Sequence, residues 1–396
     1  MQQLNTLQTE LQTELSHLLH WWNTNAIDEE FGGFHGKVAN DNHAVSSPKG
    51  LVLNARILYT FSSAYLLNKK TTDLNIAKRA YQYLTNFFND KQAGGFYWSL
   101  TADGKPLDTK KQVYGQAFGI YALAEYYKAA KEEKALALAK ETYQLLEKYS
   151  YDSANSGYIE AHKKDWSPLE DVRLSEKDQN DQKSMNTHLH VIEAYANLFL
   201  AWPDNGLKAA IKRLLTNFKN HIIHPQTGHL QLFFDMDWKV KSNLISFGHD
   251  IEAAWLLLEA AAIVNDKEEI QDFKLLALKM AEAALKGLHQ NGGLAYELDQ
   301  ENQHWVNEFH WWPQAEAMVG FFNAWQLSGN ENYLKATLKI WEFVKKHIKD
   351  SKNGEWFWGV NEQLLPMPNE NKAGFWKCPY HNGRACMELI KRLSSL

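Results

Sequence analysis

Histidine side chains recur along this chain at places where they could exchange protons with a substrate. His190, His249 and His381 each lie near the start of a segment with the pattern of an apolar helix. An imidazole titrates at about pH 6.5, so at neutral pH it can accept or donate a proton. The chemistry that these residues could support is acid–base catalysis, in which one histidine removes a proton and another returns one.

Two charged residues could assist such chemistry. Arg56 lies in a mostly apolar segment, 51–58, where an unpaired charge is costly. It is either paired with a carboxylate or directed at substrate oxygens, and as an oxyanion stabiliser it suits a reaction that passes through an enediolate. Glu252 lies one helical turn from His249, where it either orients and polarises the imidazole or forms a local ion pair with it.

Helix geometry limits which histidines can act together. Residues three or four apart share a helix face, whereas residues two apart point about 200° away from each other. His188 and His190 therefore cannot both ligate one metal ion, which argues against a zinc site built from His188, His190, His249 and His381. We expect His188 to pack or hydrogen-bond outside the pocket, and we expect no metal and no other cofactor.

The elements that must position these residues come from a sixfold repeat. Each copy is a glycine turn, in most cases followed by an aromatic residue, that leads from a polar run into a short apolar–polar alternation, as a turn entering a half-buried strand does. The aligned glycines are about 60 to 70 residues apart, a period that predicts a repeat fold. They are Gly33, Gly95, Gly157, Gly228, Gly293 and Gly354.

Two segments with helical periodicity lie between successive turns. The first is apolar nearly all round, as in 251–258, which predicts a buried inner helix, and the second is amphipathic and rich in lysine, as in 274–286, which predicts an outer helix. The predicted pairs are 51–67 with 74–88, 113–128 with 134–149, 185–201 with 206–222, 248–264 with 268–289, and 312–327 with 331–348. One helix at each terminus brings the number to twelve.

Six inner and six outer helices in alternation predict an all-α (α/α)6 barrel, formed by a single domain over residues 1–396, with short β-hairpins at the active-site mouth. An open α-solenoid is the alternative. Closure is favoured because each repeat has unusual polar residues at the start of its inner helix, and a closed barrel brings them around one pocket. They are Arg56, Tyr114, Gln116, Asn186, His190, His249, Glu252, Trp312, Glu316, His381 and Arg384.

Pro313 gives a more local prediction. Proline suits the first position of a helix, so His310, Trp311 and Trp312 are expected to form a loop at the rim of the pocket.

The composition narrows the class of function. No apolar stretch approaches the roughly 20 residues of a membrane span, and segment 1–18 lacks the basic start and apolar block of a signal peptide, so we expect a cytoplasmic protein. The formal charge of −5 argues against nucleic acid as a partner. Cys378 and Cys386 are too few for a disulfide framework. The 15 Trp and 17 Tyr suit core packing and stacking against sugar rings, so we expect a small-molecule partner. We expect a monomer, with a dimer as the alternative.

Five short segments stand out in order along nearly the whole chain. They are Asn-Ala-Arg at 54–56, Met-Asn-Thr-His-Leu-His at 185–190, Gly-His-Asp-Ile-Glu-Ala-Ala-Trp at 248–255, Trp-Trp-Pro-Gln-Ala-Glu-Ala at 311–317 and Trp-Lys-Cys-Pro-Tyr-His-Asn-Gly-Arg at 376–384. Together they resemble the motifs of cellobiose 2-epimerases, within the wider superfamily of N-acylglucosamine 2-epimerases. The fourth segment is shared across that superfamily, and the fifth is closer to the cellobiose branch.

The resemblance implies an enzyme that epimerises C2 of the reducing-end glucose of β-1,4-linked disaccharides, turning cellobiose into 4-O-β-D-glucopyranosyl-D-mannose and lactose into epilactose. It implies that His249 and His381 are the acid–base pair, that His190 is a further site histidine, that Arg56 binds substrate oxygens, and that Glu252 supports His249. The sugar-binding residues that it implies are Tyr114, Asn186, Trp312, Trp376 and Glu316. Ring opening, removal of the C2 proton to give a cis-enediolate and its return on the other face require no metal or nucleotide.

Other activities stay open at this point. Helical barrels of this type also house glycoside hydrolases, which can invert the anomeric centre with two carboxylates about 6.5–9.5 Å apart. Glu252 and Glu316 could form such a pair, but a hydrolase of this kind would leave the three histidines unexplained. A non-catalytic sugar-binding module would use the tryptophans alone. N-acylglucosamine 2-epimerases and mannose-type aldose–ketose isomerases share the proton chemistry and differ in substrate.

Overall fold

The computed structural model describes residues 2–396 and contains the helices that the apolar periodicity predicts. Inner helices are buried on every side along most of their length, whereas outer helices bury one stripe. The helices are α1 (Gln2–Asn25), α2 (Leu51–Asn68), α3 (Thr71–Tyr83), α4 (Val113–Ala130), α5 (Glu133–Tyr149), α6 (Met185–Ala201), α7 (Asn205–Asn217), α8 (Phe247–Val264), α9 (Lys267–Leu285), α10 (Trp311–Ser328), α11 (Glu331–Phe343) and α12 (Tyr380–Ser394).

The ends of the outer helices account for the main differences from the predicted bounds. Helices α3, α7 and α11 each finish in a π turn, at Leu84–Phe88, Phe218–Ile222 and Val344–Ile348. When these turns are counted as part of the helices, α3, α7 and α11 end at the predicted residues 88, 222 and 348. Helix α9 instead ends at Leu285, four residues before its predicted end. The chain turns there so that Leu288 can pair with Leu294 across the glycine turn.

The inner helices close into a ring. The helices α2, α4, α6, α8, α10 and α12 each pack against the next, and α12 packs back against α2. Outer helices fill the spaces around this ring, with α1 beside α12. The closed ring of twelve helices among residues 2–396 confirms the (α/α)6 barrel, and it is incompatible with an open solenoid.

The six glycine turns join the end of an outer helix to the chain that leads toward the next inner helix. A single antiparallel β-bridge closes each turn, and the bridges are Ile27–Phe34, Asn89–Phe96, Tyr151–Tyr158, Ile223–Leu230, Leu288–Leu294 and Lys349–Trp356. Gly95 shows why glycine is needed: its φ is +67°, and a Cβ would lie 2.7 Å from Oε1 of Gln116 on α4. The turns therefore pack directly on the first turns of inner helices.

Four of the turns also share a buried ion pair. In the second turn, Asp90 Oδ1 accepts hydrogen bonds from the backbone N–H groups of Gln92 and Ala93, while Oδ2 accepts one from Lys111 Nζ at 2.8 Å. Lys111 lies two residues before α4, so the pair ties the turn to the start of an inner helix. The equivalent pairs are Asp28–Lys49, Asp152–Lys183 and Asp350–Lys372.

Short antiparallel strands connect neighbouring repeats around the same end of the barrel. They are β1 (Lys49–Gly50), β2 (Ser99–Leu100), β3 (Pro106–Asp108), β4 (Lys111–Gln112), β5 (Ala161–His162), β6 (Lys183–Ser184), β7 (Phe233–Phe234), β8 (Leu244–Ser246), β9 (Glu297–Asp299), β10 (His304–Val306), β11 (Phe309–His310) and β12 (Gly359–Val360). The pairs β1–β2, β4–β5, β6–β7, β8–β9 and β11–β12 each join a strand that precedes an inner helix to the strand after the next turn. A bridge between Val38 and Ala373 links the last repeat to the first.

These strands surround the end of the barrel at which the inner helices begin, hereafter the mouth, where the sequence predicted short β structure. Of the helices in residues 2–396, none has both the length and the apolar character needed to cross a membrane.

Candidate active site

The first two turns of the inner helices bring polar and aromatic side chains together at the mouth. One from each helix is Arg56 on α2, Tyr114 on α4, His190 on α6, His249 on α8, Trp312 on α10 and His381 on α12. Arg56 Nη2 donates to the hydroxyl of Tyr114 at 2.7 Å, and the Tyr114 ring centroid lies 4.9 Å from that of His190. The Trp312 ring lies 4.6 Å from His249. These six side chains lie around the mouth, but the prediction that Gln116 joins them is wrong: its Oε1 accepts from the Phe96 N–H and its Nε2 donates to the Phe96 carbonyl, each at 2.8 Å.

His190 is held by a carboxylate on its own helix. Its Nδ1 lies 2.9 Å from Oε2 of Glu193, one turn further along α6. Burial by itself would raise the pKa of Glu193, but the charge of Arg384 and the bond from His190 lower it to about 2. Glu193 is therefore ionised at neutral pH and can only accept, which places the His190 proton on Nδ1.

His381 is held by a carboxylate from the neighbouring helix. Its Nδ1 lies 2.7 Å from Oε1 of Glu316 on α10. Arg384 Nη2 donates to that same oxygen at 2.6 Å, and Trp255 Nε1 donates to Oε2 at 3.1 Å. Burial and the charges of Arg56 and Arg384 hold the pKa of His381 well below its usual range. The ring is thus neutral at pH 7 and fixed in orientation.

His249 differs from the other two because a hydroxyl holds it. Its Nδ1 lies 2.8 Å from Oγ of Ser246, the last residue of β8. Burial, with a smaller contribution from His190, lowers the pKa of His249 to about 3. A neutral imidazole at pH 7 is the form that a general base needs.

The predicted support of His249 by Glu252 is wrong. Glu252 Oε1 accepts a hydrogen bond from Arg384 Nη2 at 2.8 Å and lies 3.9 Å from Nδ1 of His381. The two residues share a helix face, but the guanidinium of Arg384 attracts the carboxylate while Ser246 takes the imidazole. Burial and the nearby Glu316 raise the pKa of Glu252 well above its ordinary value.

Arg56 has no carboxylate partner within residues 2–396, so of its two predicted environments the ion pair is excluded. The side chain is 3 % exposed, and its guanidinium lies over the rings of Phe118 and Tyr380 at 4.2 and 4.7 Å. Apart from Tyr114, its polar contacts are the Trp376 carbonyl at 3.5 Å and the Cys378 sulfur at 3.9 Å. The positive charge of Arg56 thus packs against aromatic rings and has no ion-pair partner among these contacts.

Half-buried aromatic and amide side chains complete the mouth. Trp312 lies between His249 and His381, with ring centroids 4.6 and 5.7 Å away. Trp376 lies edge-on to Tyr114, with ring centroids 5.9 Å apart, and the Oδ1 atom of Asn186 has no hydrogen-bond partner in residues 2–396. The aromatic groups offer flat faces to a polar ring compound, whereas the Oδ1 atom of Asn186 is itself buried.

The predicted loop before Pro313 is wrong by two residues. Helix α10 begins at Trp311, with His310 as its N-cap residue, so Trp311 and Trp312 are helical and Pro313 is the third residue. Proline is tolerated there because the first four N–H groups of a helix have no partner within it. Trp312 is consequently fixed by a helix rather than carried by a loop.

His188 faces away from the site, as its spacing from His190 predicts. Its Nε2 accepts a hydrogen bond from the backbone N–H of Tyr158 at 2.8 Å, and its Nδ1 lies 2.7 Å from the Ser184 carbonyl. Both ring nitrogens are engaged by backbone, so His188 is not available as a metal ligand.

One group of possible metal ligands occurs in the described chain, namely Glu252, Glu316 and His381, with ligand atoms within 4.8 Å of one another. Arg384 Nη2 donates to both carboxylates from within this group. Its fixed positive charge opposes a cation there, so the donor set does not suit a metal ion.

Sequence reasoning missed three residues of the site, Ser246, Glu193 and Tyr380, and it gave Arg384 no role. Tyr380 and Arg384 both donate to Oε1 of Glu193, which joins the partners of His190 and His381 in one buried network. The available signal was spacing, because Ser246 precedes His249 by three residues and Glu193 follows His190 by three.

Comparisons with known proteins identify the family of this chain. The family model described as N-acylglucosamine 2-epimerase (GlcNAc 2-epimerase) matches residues 32–385. Cellobiose 2-epimerase of Bacteroides fragilis is 43% identical over 97% of this chain and 98% of that protein, and cellobiose 2-epimerase of Dictyoglomus turgidum is 40% identical over 98% and 100%. The structure of cellobiose 2-epimerase from Bacillus thermoamylovorans B4167 superposes with a TM-score of 0.93 at 39% identity, covering 98% of this chain and 100% of that one. These matches confirm the resemblance, and the chain belongs to the N-acylglucosamine 2-epimerase family.

Proposed function

We propose that this chain is a cellobiose 2-epimerase, which epimerises C2 of the reducing-end glucose of cellobiose and of related β-1,4-linked disaccharides such as lactose. The observation that carries the proposal is the placement of His249 and His381 on either side of Trp312. Each has its Nδ1 held by a protein group, and neither Nε2 has a hydrogen-bond partner in residues 2–396. Relatives named cellobiose 2-epimerase that align over nearly the whole chain support the same substrate class.

The proposed reaction begins with opening of the reducing-end ring. One of the two histidines, in its neutral form, removes the C2 proton through Nε2. The other histidine first takes up a proton from solvent on its Nε2 and then delivers it to the opposite face of the planar cis-enediolate, so that each turnover leaves the first ring protonated and the second neutral. Their roles exchange in the reverse reaction. Burial keeps His249 and His381 neutral at rest, so either ring can serve as the base at neutral pH.

Arg56 is the proposed stabiliser of the enediolate. Its guanidinium has no counterion among the described residues, is buried, and is oriented by Tyr114. A fixed positive charge in a site of low dielectric constant stabilises developing negative charge more strongly than water does. The proposed acceptors of its hydrogen bonds are the oxygens on C1 and C2 of the substrate.

The aromatic side chains would hold the two sugar rings. We assign Trp312 to the reacting ring, because it contacts both histidines, and Trp376 to the non-reducing ring, because it packs against Tyr114 instead. Asn186 is the further sugar-binding residue that we propose, because its buried Oδ1 lacks a hydrogen-bond partner in residues 2–396.

The carboxylates of the site would position other groups rather than react. Both oxygens of Glu316 are engaged, by His381, Arg384 and Trp255, so we assign it to orienting His381 instead of binding sugar. Glu252 donates no proton to a leaving group in this proposal, because it is turned toward the same guanidinium. Hydrolysis by this carboxylate pair is therefore disfavoured.

Incubation of the protein with cellobiose in D2O, followed by NMR, tests the proposal. The expected product is 4-O-β-D-glucopyranosyl-D-mannose with deuterium at C2. Release of glucose would instead support a hydrolase, a ketose product would support an isomerase, and folded protein that forms no product would overturn the disaccharide assignment.

A further inference from the structure

Two serines occupy the same place in neighbouring repeats but use their hydroxyl groups differently. Ser184 directly precedes α6, and its Oγ accepts a hydrogen bond from the backbone N–H of Thr187 at 3.1 Å. Ser246 directly precedes α8 and makes no such bond. A serine at this position normally caps the helix by accepting from an N–H group in the first turn. Ser246 does not cap its helix in this way. Its Oγ lies 2.8 Å from Nδ1 of His249 instead.

The hydroxyl also separates His249 from the other histidines of the site. Glu193 holds Nδ1 of His190, and Glu316 holds Nδ1 of His381. A carboxylate stabilises the imidazolium form of its partner, whereas a hydroxyl is neutral and can accept or donate. His249 is therefore the one of these three rings that is oriented without a neighbouring negative charge on its Nδ1.

We propose that Ser246 is a positioning residue for the reaction, which fixes the His249 ring through Nδ1 without placing a negative charge beside it, so that Nε2 faces the substrate as a base. This inference rests on the acid–base role assigned to His249 under the proposed function. The side chain of Ser246 is buried, at 1 % exposure, and in residues 2–396 its Oγ has His249 as its hydrogen-bond partner.

The surroundings of His249 predict how this contact can be changed. The groups that act on its pKa are His190 on α6, which lowers it, and Glu316 on α10, which raises it, in addition to burial. On α8 itself, Glu252 is turned toward Arg384 of α12. Two other titratable residues lie on neighbouring elements. Glu297 is paired with Ser246 on strand β9, and His381 lies on α12 on the far side of Trp312. A carboxylate at position 246 would be the nearest negative charge to Nδ1 and should raise the pKa of His249.

Three substitutions test the proposal. Ser246→Ala removes the hydroxyl and should lower kcat on cellobiose by about tenfold or more with KM nearly unchanged, because a loosened base lowers the rate of proton transfer. Ser246→Thr retains the hydroxyl and should restore most of that loss. Ser246→Asp should move the acidic limb of the kcat/KM profile to higher pH.

Ser184→Ala is the matched control. It removes a serine from the equivalent place before α6 and takes away a helix cap, so it should lower the melting temperature while leaving the pH profile of kcat/KM unchanged. If Ser246→Ala behaves like Ser184→Ala, with kcat unaffected, Ser246 is only a structural residue and the proposal is overturned.

NMR titration of His249 in the free protein separates this inference from the proposed function. The ring should titrate at higher pH in Ser246→Asp than in the wild type, whatever the enzyme's substrate. An unchanged titration in this variant would contradict the contact between residue 246 and Nδ1. If the titration shifts but the wild type does not epimerise cellobiose, the proposed function fails while the contact stands.

Discussion

His188 and His190 lie two residues apart on α6 and have opposite environments. His188 is fully buried, and both of its ring nitrogens are engaged by backbone groups of Tyr158 and Ser184. His190 has Nδ1 held by Glu193, while its Nε2 has no hydrogen-bond partner in residues 2–396. The rotation of about 200° between the two positions separates a structural histidine from one that faces the site.

Other repeats show what His188 contributes. At the equivalent place Gln116 accepts a hydrogen bond from the backbone N–H of Phe96, and Gln314 accepts one from Leu294, both at 2.8 Å. In these three repeats the backbone N–H after the glycine turn needs an acceptor from the inner helix, and the ability to exchange protons is not required. The difference within α6 teaches that the helix face, and not the residue type, predicts which histidines take part in chemistry.

The largest effect on activity is expected when a histidine that faces the site is replaced. His249→Ala or His381→Ala should lower kcat by at least about a hundredfold, within the usual range for a general acid or base. Steady-state rates with cellobiose, together with circular dichroism to establish folding, would measure it. Near-normal turnover in either variant would remove that residue from the mechanism.

A smaller loss is expected from Arg56→Lys. Lysine keeps the positive charge but cannot both reach substrate oxygens and donate to Tyr114 as the guanidinium does. We expect kcat/KM for cellobiose to fall by about tenfold to a hundredfold, which is the scale of a displaced oxyanion donor. Tyr114→Phe is a control for the Tyr114 bond alone, and an Arg56→Lys variant as active as the wild type would argue against Arg56 as the enediolate stabiliser.

Substitution of His188 should affect stability rather than catalysis. His188→Ala leaves the buried N–H of Tyr158 without an acceptor and should lower the free energy of unfolding by about 1–3 kcal/mol. His188→Gln should recover much of that loss, because glutamine makes the equivalent bond in two other repeats. Denaturant unfolding measures the stability, and a large fall in kcat for the folded His188→Gln variant would contradict the division between the two helix faces.

The smallest expected effect is on the pH dependence of stability. Burial lowers the pKa of His188 to about 4, compared with about 6.5 in an unfolded chain. Between these values the unfolded state binds a proton that the native state does not, so this residue makes stability fall as pH falls through that window. In His188→Gln the slope of unfolding free energy against pH should be shallower there, by at most about 1.4 kcal/mol per pH unit. An identical slope in both proteins would mean that His188 does not titrate in this way.

The features that depended on local spacing could be predicted from the sequence. Alternating apolar and amphipathic helices predicted the barrel, and the positions of His190, His249 and His381 at the starts of inner helices predicted that they would meet. These inferences need only the helical period and the repeat length. They do not depend on the side-chain conformation of any one residue.

The partners of the site residues could not be predicted in the same way. Glu252 is separated by 132 residues from Arg384, the group that it contacts, and the choice between Arg384 and His249 depends on side-chain rotamers and on relative burial. Ser246 was overlooked because a serine before a helix is normally explained by capping. The start of α10 was misplaced because proline is compatible with several positions in a first turn.

The most direct test of the proposed chemistry is loss of deuterium from cellobiose labelled at C2 of the reducing-end glucose. In H2O the wild-type protein should replace this deuterium with hydrogen as it forms the mannose epimer, and His188→Gln should do so at a similar rate. His249→Asn and His381→Asn should each convert the sugar at least about a hundredfold more slowly. Full retention of deuterium at C2 in the product of the wild type, or conversion at the wild-type rate by both asparagine variants, would contradict proton transfer by the histidines that face the mouth.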